Sequence, residues 1–231
     1  MIEIKALYLK KKIPEISELT LRVMGGEIYV LLSSGENVLH HLVNIFGGLE
    51  TDFRGSIRVD GHGVTAGADR TQIDLTYVDR GGDWPPTVKI KHLVAFIKRS
   101  GRIPEDDFEE FKLRMNVDQI SHLRVGDLNE VERRRFLFAV ARLRNTRNYL
   151  IHDLAKGMPI DFILEFKDHL REMKAAGCSV LYLSNDVFFA PEIGDLIGFM
   201  RKGKLLLELK GAKVRRMDLK ELYFRFLTEE A

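Results

Sequence analysis

The feature that most limits how this chain can fold is a short apolar run followed at once by a helix. Ile28-Tyr29-Val30-Leu31-Leu32 is too short for a buried helix and has the β-branched and aromatic content of a strand covered on both faces. Residues 33–37 interrupt it. Val38, Leu39, Leu42, Val43, Ile45 and Phe46 then recur at helical spacing up to Gly47-Gly48, where glycine can take the left-handed turn that ends a helix. A doubly covered strand that leads into a helix belongs in an α/β core with a mostly parallel sheet.

The rest of the chain keeps that rhythm, with one interruption. Residues 2–9 and 19–32 read as strands, 55–60 as a short strand ended by the turn Asp60-Gly61, and 75–78 as another. Residues 88–100, 105–115 and 130–144 read as amphipathic helices, with Gly81-Gly82, Pro85-Pro86 and Gly101 in the connections. Strand and helix then alternate again: 149–151, a helix over 160–176, then 179–183, 196–200 and 205–209. The expectation is a single domain over 1–231. Its core lobe takes about 1–85 and 145–231, and a helical lobe is inserted at about 86–144.

Charge and composition exclude several classes of function. Lys+Arg is 36 against Asp+Glu 34, a net charge of +2, so nothing drives the whole molecule toward nucleic acid or an anionic membrane. Cys178 is the one cysteine, which rules out an internal disulfide and fits a reducing compartment. MIEIKALYLKKK alternates apolar and polar residues and lacks the apolar core of a signal peptide. No apolar run approaches the roughly 20 residues that cross a bilayer. A cytoplasmic protein is expected, with no direct membrane insertion and no nucleic-acid partner.

The ordered flanks of residues 28–46 resemble the ATP-binding cassette (ABC) ATPases. Gly26-Glu27-Ile28, Gly48-Leu49, Gly55-Ser56-Ile57-Arg58-Val59-Asp60-Gly61 and Thr87-Val88 look like that family's framework. So do Gly177-Cys178-Ser179-Val180-Leu181-Tyr182-Leu183-Ser184 and Arg201-Lys202-Gly203-Lys204. The ending Asp218-Leu219-Lys220-Glu221-Leu222-Tyr223-Phe224 is similar to that of short bacterial exporter-type subunits. The resemblance runs the length of the chain in the family's order. It implies a P-loop NTPase-like fold with an antiparallel β part at the N-terminus.

The same resemblance places residues that do not suit the family's chemistry. A phosphate loop, Gly-x-x-x-x-Gly-Lys-Ser/Thr, brings backbone N–H groups to the phosphates, a lysine to their charge and a hydroxyl to magnesium. In register stand Ser33, Ser34, Gly35, Glu36, Asn37, Val38, Leu39, His40 and His41. Leu39 takes the lysine's place, His40 the hydroxyl's and Val38 a glycine's, while Glu36 adds negative charge. Tyr149-Leu150-Ile151-His152-Asp153-Leu154 keeps an aspartate for magnesium, if any is bound, but Leu154 stands where glutamate would activate water. The signature becomes Leu128, Asn129, Glu130, Val131 and Glu132, in which Asn129 and Glu132 suit a helix cap. At about 4 kcal/mol per close like-charge pair against about 1 kcal/mol for a helix dipole, these carboxylates disfavour a phosphate.

Smaller positions agree. Arg80, after Asp79, replaces a glutamine; Asn185 replaces the switch histidine; and Lys10-Lys11-Lys12 replaces an aromatic that would stack on adenine. Tyr8 reads as sheet packing, and His40-His41 as surface histidines badly placed for a metal. Arg133-Arg134-Arg135 with Arg142, Arg144 and Arg147 reads as a solvated face, and Trp84 as packing of the Pro85-Pro86 turn.

The expectation is a degenerate member, a pseudo-ATPase with no cofactor and with ATP and magnesium bound weakly or not at all. It would dock on a membrane permease subunit at the cytoplasmic face and pair with an active ABC ATPase or a second copy. The alternative is a stand-alone scaffold or regulatory protein. An active ATPase with divergent motifs comes last.

Overall fold

Burial along residues 19–33 changes from alternating to continuous, and the change separates two sheets. In the computed structural model, which describes residues 1–9, 16–64, 73–80, 85–100 and 103–226, β2 (Leu19–Val23) buries every second residue. β3 (Glu27–Ser33) is buried almost throughout. This corrects the expectation of one strand over 19–32. The chain turns at Gly25-Gly26, where Gly26 has φ +74°, a conformation that costs glycine little, and the Glu27 N–H donates to Met24 O at 3.2 Å.

β2 joins β1 (Ile2–Leu9), β4 (Phe53–Val59) and β5 (His62–Gly63) in an antiparallel sheet of order β2-β1-β4-β5. β3 enters a second sheet with β6 (Leu75–Asp79), β7 (Asn148–His152), β8 (Ser179–Ser184), β9 (Leu196–Arg201) and β10 (Lys204–Lys210). Its order is β10-β9-β3-β8-β7-β6, with every pairing parallel except β10 on β9.

β3 shows how the layers meet. Tyr29 and Leu31 point toward the antiparallel sheet and α1 (Glu36–Gly47), whose Leu39, Leu42, Val43, Ile45 and Phe46 fill the space between the sheets. Ile28, Val30 and Leu32 point the other way, toward Phe162, Phe166, Leu170 and Met173 of α6 (Ile160–Ala175). Gly48, at φ +75°, ends α1 with its N–H on Asn44 O and Ile45 O, which satisfies carbonyls the helix itself cannot.

Between β6 and β7 lie α2 (Ile90–Ser100), α3 (Glu105–Arg114), α4 (Val117–Ile120) and α5 (Glu130–Leu143). They enclose a core of their own around Leu93, Phe108, Phe111 and Phe136. α5 also reaches the main core, through Phe138 and Ala141. Short α7 (Ala190–Ile193), α8 (Gly211–Val214) and α9 (Leu219–Phe226) complete the described chain. No described helix is long and apolar enough to cross a membrane. Lys10-Lys11-Lys12, Gly81-Gly82, Trp84 and Gly101 lie outside the described residues.

Candidate functional site

The carboxyl ends of β6, β7, β8 and β3 come together because these strands run parallel in register. Asp79 pairs with His152, His152 with Leu183, and Leu32 with Ser184. Open α/β sheets bind ligands outside these strand ends. The sequence-predicted positions 33–41, 79–80, 152–154 and 184–185 all lie at this edge or on the helix that leaves it.

At the strand–helix junction only Ser34 and Gly35 separate β3 from α1. The Gly35 N–H donates to Ser33 Oγ at 3.3 Å. A phosphate loop wraps the backbone between its first glycine and its lysine around the anion. Ser34, Gly35, Glu36, Asn37 and Val38 hold those places here, and the last three are already helical. Leu39 is fully buried in the core between the sheets. His40 is exposed. His41 is not the surface residue expected: its side chain is 13% exposed and its Nδ1 lies 2.5 Å from Glu50 Oε2.

The next strand end is committed to internal contacts. Asp153, 1% exposed and at φ +48°, accepts a hydrogen bond from Ser184 Oγ at 2.6 Å. Ser184 Oγ in turn accepts the Asp186 N–H at 3.0 Å, and Lys156 Nζ stands 4.0 Å from Asp153 Oδ2. Leu154 is fully buried in the core on the α6 side. Asn185, half-buried, sits between the two partners of this chain. Beside it Asp79 Oδ1 approaches His152 Nδ1 at 3.2 Å, without hydrogen-bond alignment. Burial pushes the Asp79 carboxyl up, but His152 and the Arg80 N–H together outweigh it and hold it below the usual carboxylate range. The sequence reading placed His152 and Ser184 at strand ends but gave neither a role; the contact of Ser184 with Asp153 needed the register of β7 on β8.

The signature positions are equally occupied from within. Leu128 is buried. Asn129 caps α5: the Glu132 N–H donates to Asn129 Oδ1 and the Asn129 N–H to Glu132 Oε2, both at 2.9 Å. Val131 packs against the main core, and Glu130 pairs with Arg134. Arg134 corrects the expectation of a solvated basic face. It is 4% exposed and its Nη1 donates to Leu154 O at 2.9 Å and Lys156 O at 2.7 Å. The arginine thus ties α5 to the loop after β7. Arg135 and Arg142 are half-buried as well.

These groups do not fit a magnesium nucleotide. Leu39, at the position where the resemblance expects a lysine, is an aliphatic side chain in the core, and Asp153 is hydrogen-bonded by Ser184. Among the described residues no group of three or more His, Cys, Asp or Glu side chains is placed to hold a metal ion.

No protein-family model matches the sequence, and no curated protein does. Solved structures do. An ATP-binding subunit of an ABC transporter superposes with a TM-score of 0.81 at 16% identity over 97% of this chain and 98% of that one. A dimeric bacterial ABC transporter cassette, MJ0796, gives 0.77 at 15% identity, over 91% and 98%. CbiO1 of Clostridium perfringens, part of the transporter complex cbiONQ, gives 0.74 at 16%, over 97% and 93%. The chain has the fold of an ATP-binding cassette.

Proposed function

We propose that this chain, with the fold of an ATP-binding cassette, works as a non-hydrolysing subunit of an ABC transporter. It docks on a membrane permease at the cytoplasmic face and pairs with an active ATPase or a second copy. The observation that carries this reading is the two-residue connection between β3 and α1. It leaves no loop to surround a phosphate, and Leu39 and Leu154 are sealed into cores on opposite faces of the sheet. At these two aligned positions there is neither a cation for phosphate nor a base for water. What persists is the shape of the two lobes, which suits a mechanical half of a dimer.

A second reading, a stand-alone scaffold that binds other proteins without ATP, is favoured by the signature. Asn129, Glu130 and Glu132 spend their polar groups inside the chain, so a partner's nucleotide would find no clamp there. Titration of the protein with a fluorescent ATP analogue and magnesium is expected to show no saturable binding. Micromolar binding that unlabelled ATP competes away would overturn both readings. Capture of a multi-span permease on the immobilised protein favours the first, and a soluble partner alone the second.

A further inference from the structure

The small net charge of the whole chain hides one local concentration of cations, on the helical lobe. Residues 88–91, where α2 begins, pair antiparallel with 121–125. The Ile90 N–H donates to Leu123 O and the Val125 N–H to Val88 O, both at 2.9 Å. Between those bonds Lys89 and Arg124 stand directly opposite one another. Ile90 and Val125 point into the core of the lobe, so Lys89 and Arg124 point outward, and both are exposed. Facing residues of an antiparallel pair have Cβ atoms about 5 Å apart, and like charges there destabilise the pair.

Nothing in the described chain offsets that cost. Lys91 and Arg99, exposed and about two turns apart on α2, add two more cations. None of the four forms an ion pair with a described residue. Asp127, the carboxylate beside them, accepts the Arg124 N–H at 2.8 Å. Asp118 acts on Lys112 instead, and Glu105 is matched by Lys98 at 2.6 Å. The first turn of α2 has no acidic residue, although a helix favours one there. Its N–H groups are already used, that of Lys91 on Ser121 O at 3.1 Å, so the pull on an anion comes from the side chains. A local arrangement that costs stability with no internal gain marks a place of contact.

We propose that this face rests against the anionic lipid surface of a membrane, without inserting into it. The cations run along about 12 Å of helix, from Lys91 to Arg99, and onto the neighbouring strand pair. Spread in this way over outward-facing surface, they suit a plane of many lipid headgroups better than one enclosed anion. On the reading above, a chain docked on a permease at the cytoplasmic face lies beside the leaflet that carries anionic lipid. The charge of the whole molecule does not decide such a contact, because salt confines each charge to about 10 Å. Each Lys or Arg close to that surface strengthens partition about fivefold.

Co-sedimentation of the intact protein with lipid vesicles tests this without a permease, so its failure and the failure to capture a permease are separate results. Four cations less the Asp127 carboxylate leave a local charge of +3. Vesicles containing phosphatidylserine should therefore bind on the order of a hundredfold more tightly than pure phosphatidylcholine, and high salt should erase the difference. Lys89→Glu should weaken that binding about 25-fold, two steps of charge, while raising the urea midpoint, because it sets a carboxylate opposite Arg124. Lys91→Gln, outside the facing pair, should weaken it about fivefold at an unchanged midpoint. Equal binding to the two kinds of vesicle, unchanged binding in both variants, or weaker binding together with a lower midpoint in both overturns the proposal. So does a polyglutamate peptide that binds as tightly as the vesicles, because the occupant is then an acidic segment of a protein.

Discussion

Two leucines and one arginine carry the chemistry of this molecule at the scale of single residues. Leu39 and Leu154 are both fully buried, so each substitution toward an active ATPase puts a charge into a packed core. Leu39→Lys alone is expected to cost on the order of 3–5 kcal/mol, as an unpaired buried charge does. The double variant Leu39→Lys, Leu154→Glu should lose its cooperative urea transition and show no ATP turnover; robust turnover in a phosphate-release assay would disprove the account of the site. Arg134 poses the opposite case. It fills a buried place with bonds to Leu154 O, Lys156 O and Glu130. Arg134→Met keeps most of the volume but strands two carbonyls, and the expected loss is about 2–4 kcal/mol. A shift of the urea midpoint smaller than that of an ordinary surface substitution would mean the bonds are not formed.

Among the elements, α5 depends most on its ends. The reciprocal bonds of Asn129 and Glu132 satisfy N–H groups that no helix can satisfy internally. Asn129→Ala should lower stability by about 1 kcal/mol and Asn129→Asp by much less, measured as urea midpoints. Identical losses in the two would show that the side-chain oxygen is not what caps the helix. α1 is different. No side chain caps its start, and it is held by the apolar face it buries between the sheets. A helix fixed mainly by packing can begin early, here two residues before Val38, and that early start is what closes the junction after β3.

Acid should loosen the whole molecule in two stages. Burial, with the nearby charges of Arg142 and Arg114, lowers the His169 pKa below its ordinary 6.5 although Glu172 pulls it up. Its proton is then taken first by the unfolded chain, so stability falls as pH drops below about 6.5. The carboxyls of Asp60, Asp79 and Glu172 are held below the usual range, each by partners that outweigh its burial. What they contribute is present above the ordinary carboxylate range and is lost as pH falls through their folded values. Urea midpoints against pH should show a shallow limb near pH 6 and a steep one below pH 4. His169→Gln should remove the shallow limb alone; a limb that survives belongs to another group.

The α/β plan with a mostly parallel sheet, most strand and helix positions and the cap on α5 were legible in the chain, because period, turn residues and cap residues act over a few neighbours. The division at Gly25-Gly26 was legible too, in the switch from alternating to continuous apolar residues, although a single strand was expected there. Other features depended on distant partners. Arg134 reads as one of three surface arginines until α5 is laid on the loop after β7. Asp153 reads only as an aspartate closing a strand, and the register of β7 on β8 is what brings Ser184 Oγ to it. The sequence by itself determined which residues stand at 33–41, where the family resemblance expects a phosphate loop. Only the tertiary structure decided what replaced the loop, because where a helix starts depends on the apolar face it must bury. The strand leads into helix after two residues, with Leu39 closed inside the core.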